Sequence, residues 1–86
     1  MGSYTVRLKS SALKELKQLP EKDAERVAGK IAALHDNPRP AEAKKLRLGE
    51  NLWRIRIGNF RAVYEIDDEH RVVRVIRVRR RDEAYR

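Results

Sequence analysis

The chain has 86 residues, with 21 Lys+Arg against 13 Asp+Glu and a formal net charge of +8; its length is that of a single small domain, 1–86, and its surface is strongly basic. It contains no cysteine, which excludes disulfides and thiolate metal sites, and no apolar run approaches the ~18 residues of a membrane span. The expected partners are nucleic acid or an acidic protein, with no membrane.

No signal-peptide pattern opens the chain, so a reducing cytoplasm is the expected location. Met1-Gly2-Ser3 carries no weight in this reading, because an expression tag can leave such residues. Tyr4 to Leu8 alternates and is rich in β-branched and aromatic types, which predicts a first strand. Ser10 or Ser11 offers an N-cap, and Leu13, Leu16 and Leu19 form the apolar stripe of a first helix. Pro20 interrupts that helix and suits the first turn of a second, running to about His35 with Val27, Ile31 and Leu34 as its buried stripe. Asn37-Pro38-Arg39-Pro40 stops it. A basic connector, Lys44-Lys45-Leu46-Arg47, leads through Leu48 to a turn at Gly49-Glu50-Asn51.

Three further strands are predicted at about Leu52 to Ile57, Phe60 to Asp67 and Arg71 to Arg79, joined by turns at Gly58-Asn59 and Asp67-Asp68-Glu69. The order is β-α-α-β-β-β, an α+β fold with the helix pair on one face of a mainly antiparallel four-stranded sheet.

The other face is where the chemistry is expected. Successive strand residues point to opposite faces, so Trp53, Ile55 and Ile57 enter the core while Arg54 and Arg56 line the opposite side. Arg61 and Arg81 join them if the next strands keep the pattern. Guanidinium forks bind two phosphate oxygens each and stay charged at any workable pH. If Arg81 continues the parity of the last strand, Arg77 and Arg79 share this face, and Arg74 is left pointing at the helices. Either it snorkels past the core edge, or a bulge resets the parity. The plain alternatives are a solvated strand face for Arg54, Arg56 and Arg61, a charged chain end for Arg79-Arg80-Arg81, and an aromatic anchor for Tyr85. Lys44 and Lys45 either contact phosphate or are solvated. His35 falls at a helix C-terminus and His70 in a turn, with no acidic cluster of ligand spacing, so no metal or cofactor is expected.

Taken in order, the Ser-Ala-Leu-Lys-Glu-Leu helix, the Leu-Pro break, Asn-Pro-Arg-Pro, Ala-Lys-Lys-Leu, Leu-Trp-Arg-Ile-Arg-Ile-Gly, Phe-Arg-Ala-Val-Tyr-Glu-Ile and Val-Ile-Arg-Val with its basic, Tyr-containing tail resemble the RelE toxins of the RelE/ParE superfamily, over about Tyr4 to Arg86. The resemblance implies a metal-independent endoribonuclease that cleaves mRNA in the ribosomal A site. It also implies an acidic RelB-like antitoxin as partner. On it, the catalytic positions are Arg54, Arg56, Arg61, Arg81 and Tyr85; from the basic residues themselves, Lys44, Lys45, Arg47, Arg77, Arg79 and Arg80 are expected as further RNA contacts. Family members often carry lysines at the positions of Arg54 and Arg56, and Gly-His where this chain has Arg79-Arg80. Arginine cannot act as general base at ordinary pH, so phosphate stabilisation is retained while the base is left unassigned. Two other activities remain open: a ParE-like inhibitor of DNA gyrase, and a basic RNA-binding domain without turnover, whose binding would be salt-sensitive.

Overall fold

Strand β1 (Thr5–Leu8) leads into helices α1 (Ser10–Lys17) and α2 (Glu21–Ala33), followed by β2 (Ala43–Lys45), β3 (Leu52–Ile57), β4 (Phe60–Asp67) and β5 (Val72–Arg80). This is a computed structural model, and it describes residues 3–47 and 51–80. The strands form one mixed sheet in the order β1-β5-β4-β3-β2. The pairings β2–β3, β3–β4 and β4–β5 are antiparallel, and β1 runs parallel to β5. The α+β class and the helix pair on a mainly antiparallel sheet are as expected, but the sheet has five strands. The connector at Ala43–Lys45 pairs with Trp53, Arg54 and Ile55 and extends the sheet.

One core lies between helices and sheet. Val27, Ile31 and Leu34 pack with Ala12 against Ile55, Ile57, Phe60, Ala62, Tyr64, Ile66, Val73, Val75 and Val78. Pro20, with φ −54° and ψ 147°, stands at the N-cap of α2, one residue before its first turn at Glu21, where its missing N–H is not needed by the helix. In α1 the stripe differs from the expected one. Ala12 is fully buried, Leu16 and Leu19 pack beside the core, and Leu13 is 41% exposed. A spacing of i, i+4, i+7 follows the 3.6-residue turn, whereas Leu13, Leu16 and Leu19 drift off it. Neither serine caps α1. Lys9 holds the cap position without a side-chain bond, and the Ser11 hydroxyl donates to the Ile76 carbonyl at 3.0 Å.

Gly58 adopts φ +60° in the turn between β3 and β4, a conformation that costs glycine nothing. The Asn37-Pro38-Arg39-Pro40 loop folds back over one end of the core. Tyr64, fully buried, donates its hydroxyl to the Pro38 carbonyl at 2.7 Å. Arg39 lies 5.2 Å from the Trp53 ring centroid and grips both oxygens of Asp68, at 3.2 and 2.8 Å. Tyr4 donates to the same carboxylate at 2.5 Å. His35, just past α2, donates from Nδ1 to the Tyr4 carbonyl at 2.7 Å, which ties the start of the chain to the helix layer.

Candidate nucleic-acid interface

The register of the sheet sorts the basic residues by face. Arg56 pairs with Arg61, and Arg61 with Arg79, so these three form a row across β3, β4 and β5 on the side away from the helices. Lys44 pairs with Arg54, Arg54 with Val63, and Val63 with Arg77, giving a second row that starts on β2. Two residues along a strand separate the rows, a spacing of about 7 Å. Six cations thus share two neighbouring rows at the end of the sheet nearest the Gly58-Asn59 turn. The next row, Leu52, Glu65, Arg74 and Arg7, brings in an acid, with Arg74 Nη1 3.6 Å from Glu65.

This arrangement depends on one irregularity. Val63 pairs with Arg77 but Tyr64 pairs with Val75, so Ile76 is an extra residue in β5. The bulge resets the alternation. Before it, Val73 and Val75 face the core and Arg74 faces outward; after it, Val78 faces the core and Arg77 and Arg79 face outward. Of the two expectations for Arg74, the snorkelling side chain is replaced by the bulge.

Arg61 is 3% exposed, a charged side chain buried on its own sheet face. Like charges paired directly across a ladder destabilise it, and burying a cation costs further free energy. Arg54 is half-buried, and its Nη1 is buried without a hydrogen-bond partner among the described residues. Arg56 and Lys44 are exposed. Such a face can hold an anion by several forks at once, and the ~7 Å between rows leaves room for more than one phosphate.

Several expected contacts fall elsewhere. Lys45 pairs with Trp53 and so belongs to the helix-side parity of the sheet, and Arg47 is exposed beyond β2. Arg80 pairs with Phe60 and lines a cleft of about 450 Å³ with Glu15, Gln18, Leu19, Pro20, Phe60, Val78 and Arg79. Arg81 and Tyr85 lie outside the described residues.

Sequence reading missed one residue of this site. Glu15, on α1, reaches the edge of β5 where β1 stops. Its Oε1 accepts the Val78 N–H at 2.9 Å, and its Oε2 accepts Arg79 Nε at 2.9 Å and lies 3.5 Å from Arg77 Nε. A signal was present, since Ser11 and Glu15 stand at i, i+4, polar neighbours on one helical line beside the apolar stripe.

Residues 6–85 match the family described as ParE toxin of type II toxin-antitoxin system, parDE. The chain is 39% identical over 85 residues to Toxin RelE of Mycobacterium tuberculosis, covering 96% of this chain and 87% of that one. It is 31% identical over 86 residues to Putative toxin RelE1 of Methanocaldococcus jannaschii, covering 96% of each. Among solved structures, the toxin-antitoxin complex RelBE2 from Mycobacterium tuberculosis superposes with a TM-score of 0.80 at 34% identity, over 92% of this chain and 99% of that one.

Proposed function

We propose that this chain, which belongs to the RelE/ParE superfamily of type II toxin-antitoxin toxins, is a metal-independent endoribonuclease acting on mRNA in the ribosomal A site. The observation that carries the reading is the pair of basic rows, Arg56–Arg61–Arg79 and Lys44–Arg54–Arg77, on the sheet face away from the helices. The relatives named RelE toxins support it, and the neighbouring toxin-antitoxin complex supports an antitoxin as partner. An acidic antitoxin matches the net charge of +8, which would steer the encounter and make it salt-dependent.

Cleavage proceeds by attack of the ribose 2'-oxygen on the adjacent phosphorus. The bond from the 2'-oxygen to phosphorus forms as the bond to the 5'-oxygen breaks, giving a 2',3'-cyclic phosphate and a free 5'-hydroxyl. The enzyme must align the attack, offset charge on the phosphorane oxygens and return a proton to the leaving oxygen. Arg61, with Arg54 or Arg56, takes the phosphate oxygens. Arg81 acts on the leaving-group side, and Tyr85 stacks on a base or orients the 2'-hydroxyl, both assigned by family resemblance. With arginine at 54 and 56, alignment by the ribosome carries more of the rate than base catalysis.

The test is cleavage of one transcript, free and bound to purified ribosomes, with and without a transition-metal chelator. Strong cleavage only on the ribosome, unchanged by chelation, is the expected result. The ParE description of the matched family favours a second reading, inhibition of DNA gyrase. Loss of gyrase supercoiling activity with no RNA cleavage would select it.

A further inference from the structure

We infer that Glu15 is a positioning residue of the arginine face, holding the guanidiniums of Arg77 and Arg79 by their Nε atoms so that their terminal nitrogens meet RNA phosphate. The inference rests on the RNA-cleaving reading above. Its starting point is the bulge at Ile76. β1 pairs with β5 only as far as Val75, so the backbone of β5 beyond that point needs other partners. α1 supplies them. Ser11 donates to the Ile76 carbonyl at 3.0 Å, and Glu15 Oε1 accepts the Val78 N–H at 2.9 Å.

That second bond fixes the carboxylate to the backbone, so its other oxygen is a placed acceptor. Oε2 receives Arg79 Nε at 2.9 Å and stands 3.5 Å from Arg77 Nε. A guanidinium has a side edge, containing Nε, and an end fork formed by its two terminal nitrogens. A carboxylate on Nε occupies the side edge and leaves the end fork, the geometry that grips two phosphate oxygens. Glu15 therefore sets direction while leaving the binding edge available.

Both arginines it holds belong to the basic rows. Arg79 is the cross-strand neighbour of Arg61, and Arg77 stands in the row of Arg54. The pairing of Arg61 with Arg79 gathers like charge on neighbouring strands, and long side chains lose rotamer freedom when held. A carboxylate at the strand edge offsets part of that charge and fixes the rotamers before RNA arrives. Removing its charge leaves the face more positive but less ordered. The signature is a split between the kinetic constants, with slower turnover and no weaker binding.

The experiment measures cleavage of ribosome-bound mRNA by the wild type, Glu15→Gln, the double variant Arg77→Ala/Arg79→Ala, and the triple combination, each checked by thermal melting. Glu15→Gln should lower kcat by about 10- to 100-fold, the scale of a misplaced binding group, with KM equal or lower. In the Arg77→Ala/Arg79→Ala background the same change should have little further effect, because residues that act through one another are not additive. A loss that persists in full in that background, or that follows a fall in melting temperature, would overturn the proposal and leave Glu15 as an edge cap of β5 alone. A wild type inactive on ribosome-bound mRNA overturns the nuclease reading instead. The Glu15 assignment is then decided by NMR of the arginine Nε–H groups, where Arg77 and Arg79 signals slowed in exchange in the wild type and released in Glu15→Gln support it, and signals unchanged by the substitution overturn it.

Discussion

Arg56 and Arg61 face each other directly across the β3–β4 ladder, one on each arm of the Gly58-Asn59 hairpin. Arg61 is the buried member of the pair and Arg56 the exposed one, so Arg61 has the more fixed guanidinium. Arg61→Lys keeps the charge but removes the fork. It should cut cleavage by about 100- to 1000-fold, as loss of one preorganised donor typically does. Growth arrest on induction, at matched expression of soluble protein, is the measurement. Undiminished toxicity would remove Arg61 from the chemistry.

Arg54 concerns the proton. It cannot accept one, whereas a lysine placed in the same row, between Lys44 and the rest of the basic face, would titrate lower than usual because its neighbours oppose its charge. Arg54→Lys should therefore cleave ribosome-bound mRNA as fast as the wild type or faster above about pH 8. A variant slower at every pH would make Arg54 a bidentate phosphate clamp and send the proton by another route.

Tyr64 tests the loop over the core. Its hydroxyl is bonded to the Pro38 carbonyl, and burial pushes the phenol up to about 12. Tyr64→Phe should lose roughly 1 kcal/mol, a fall of about 4–8 °C in Tm for a domain of this size. A raised folded pKa contributes stability that is complete below the unfolded value of ~10 and is lost as pH rises through the folded value of about 12. The gap between wild type and variant should accordingly close in alkali. Melting temperatures taken across that range decide it, and a gap that stays constant would mean the hydroxyl does not titrate with folding.

Asp68 behaves in the opposite sense. Hydrogen bonds from Arg39 first, and then from Tyr4, hold its carboxyl below the usual carboxylate range. A depressed folded pKa contributes stability present above the unfolded value of ~4 and lost as pH falls through the folded value. Asp68→Asn should be less stable than wild type at neutral pH and no different well below pH ~4. The group is exposed, so solvent screens the effect and the difference should be modest. Equal stability of the two proteins at neutral pH would show that Asp68 does not hold the loop.

The strands were legible wherever alternation was clean. Leu52–Ile57 and Phe60–Asp67 fall at their predicted bounds, and Val27, Ile31 and Leu34 are buried as their spacing requires. β2 was not legible, because three residues show too little period and Lys44-Lys45 reads as solvent-facing whether paired or not. Arg74 was ambiguous for a different reason. A bulge changes register without changing composition, and only pairing with Glu65 reveals which side of it a residue stands on. Most of the basic rows followed from parity within each strand. Glu15 did not, since its contacts join residues more than sixty positions apart and depend on where β1 ends.

The two-part cover of β5 also bears on how copies of this chain treat one another. A half-uncovered strand of nine residues, rich in valine, would be a template for another chain's backbone. Here β1 takes one half of that edge and the Ser11 and Glu15 side chains occupy positions on the other. The strands left outermost are four and three residues long, and β2 carries adjacent lysines. Edges so short, one of them charged, recruit poorly, so among the described residues a chain that carries a buried cation and rows of like charge still presents little backbone on which a second copy could grow.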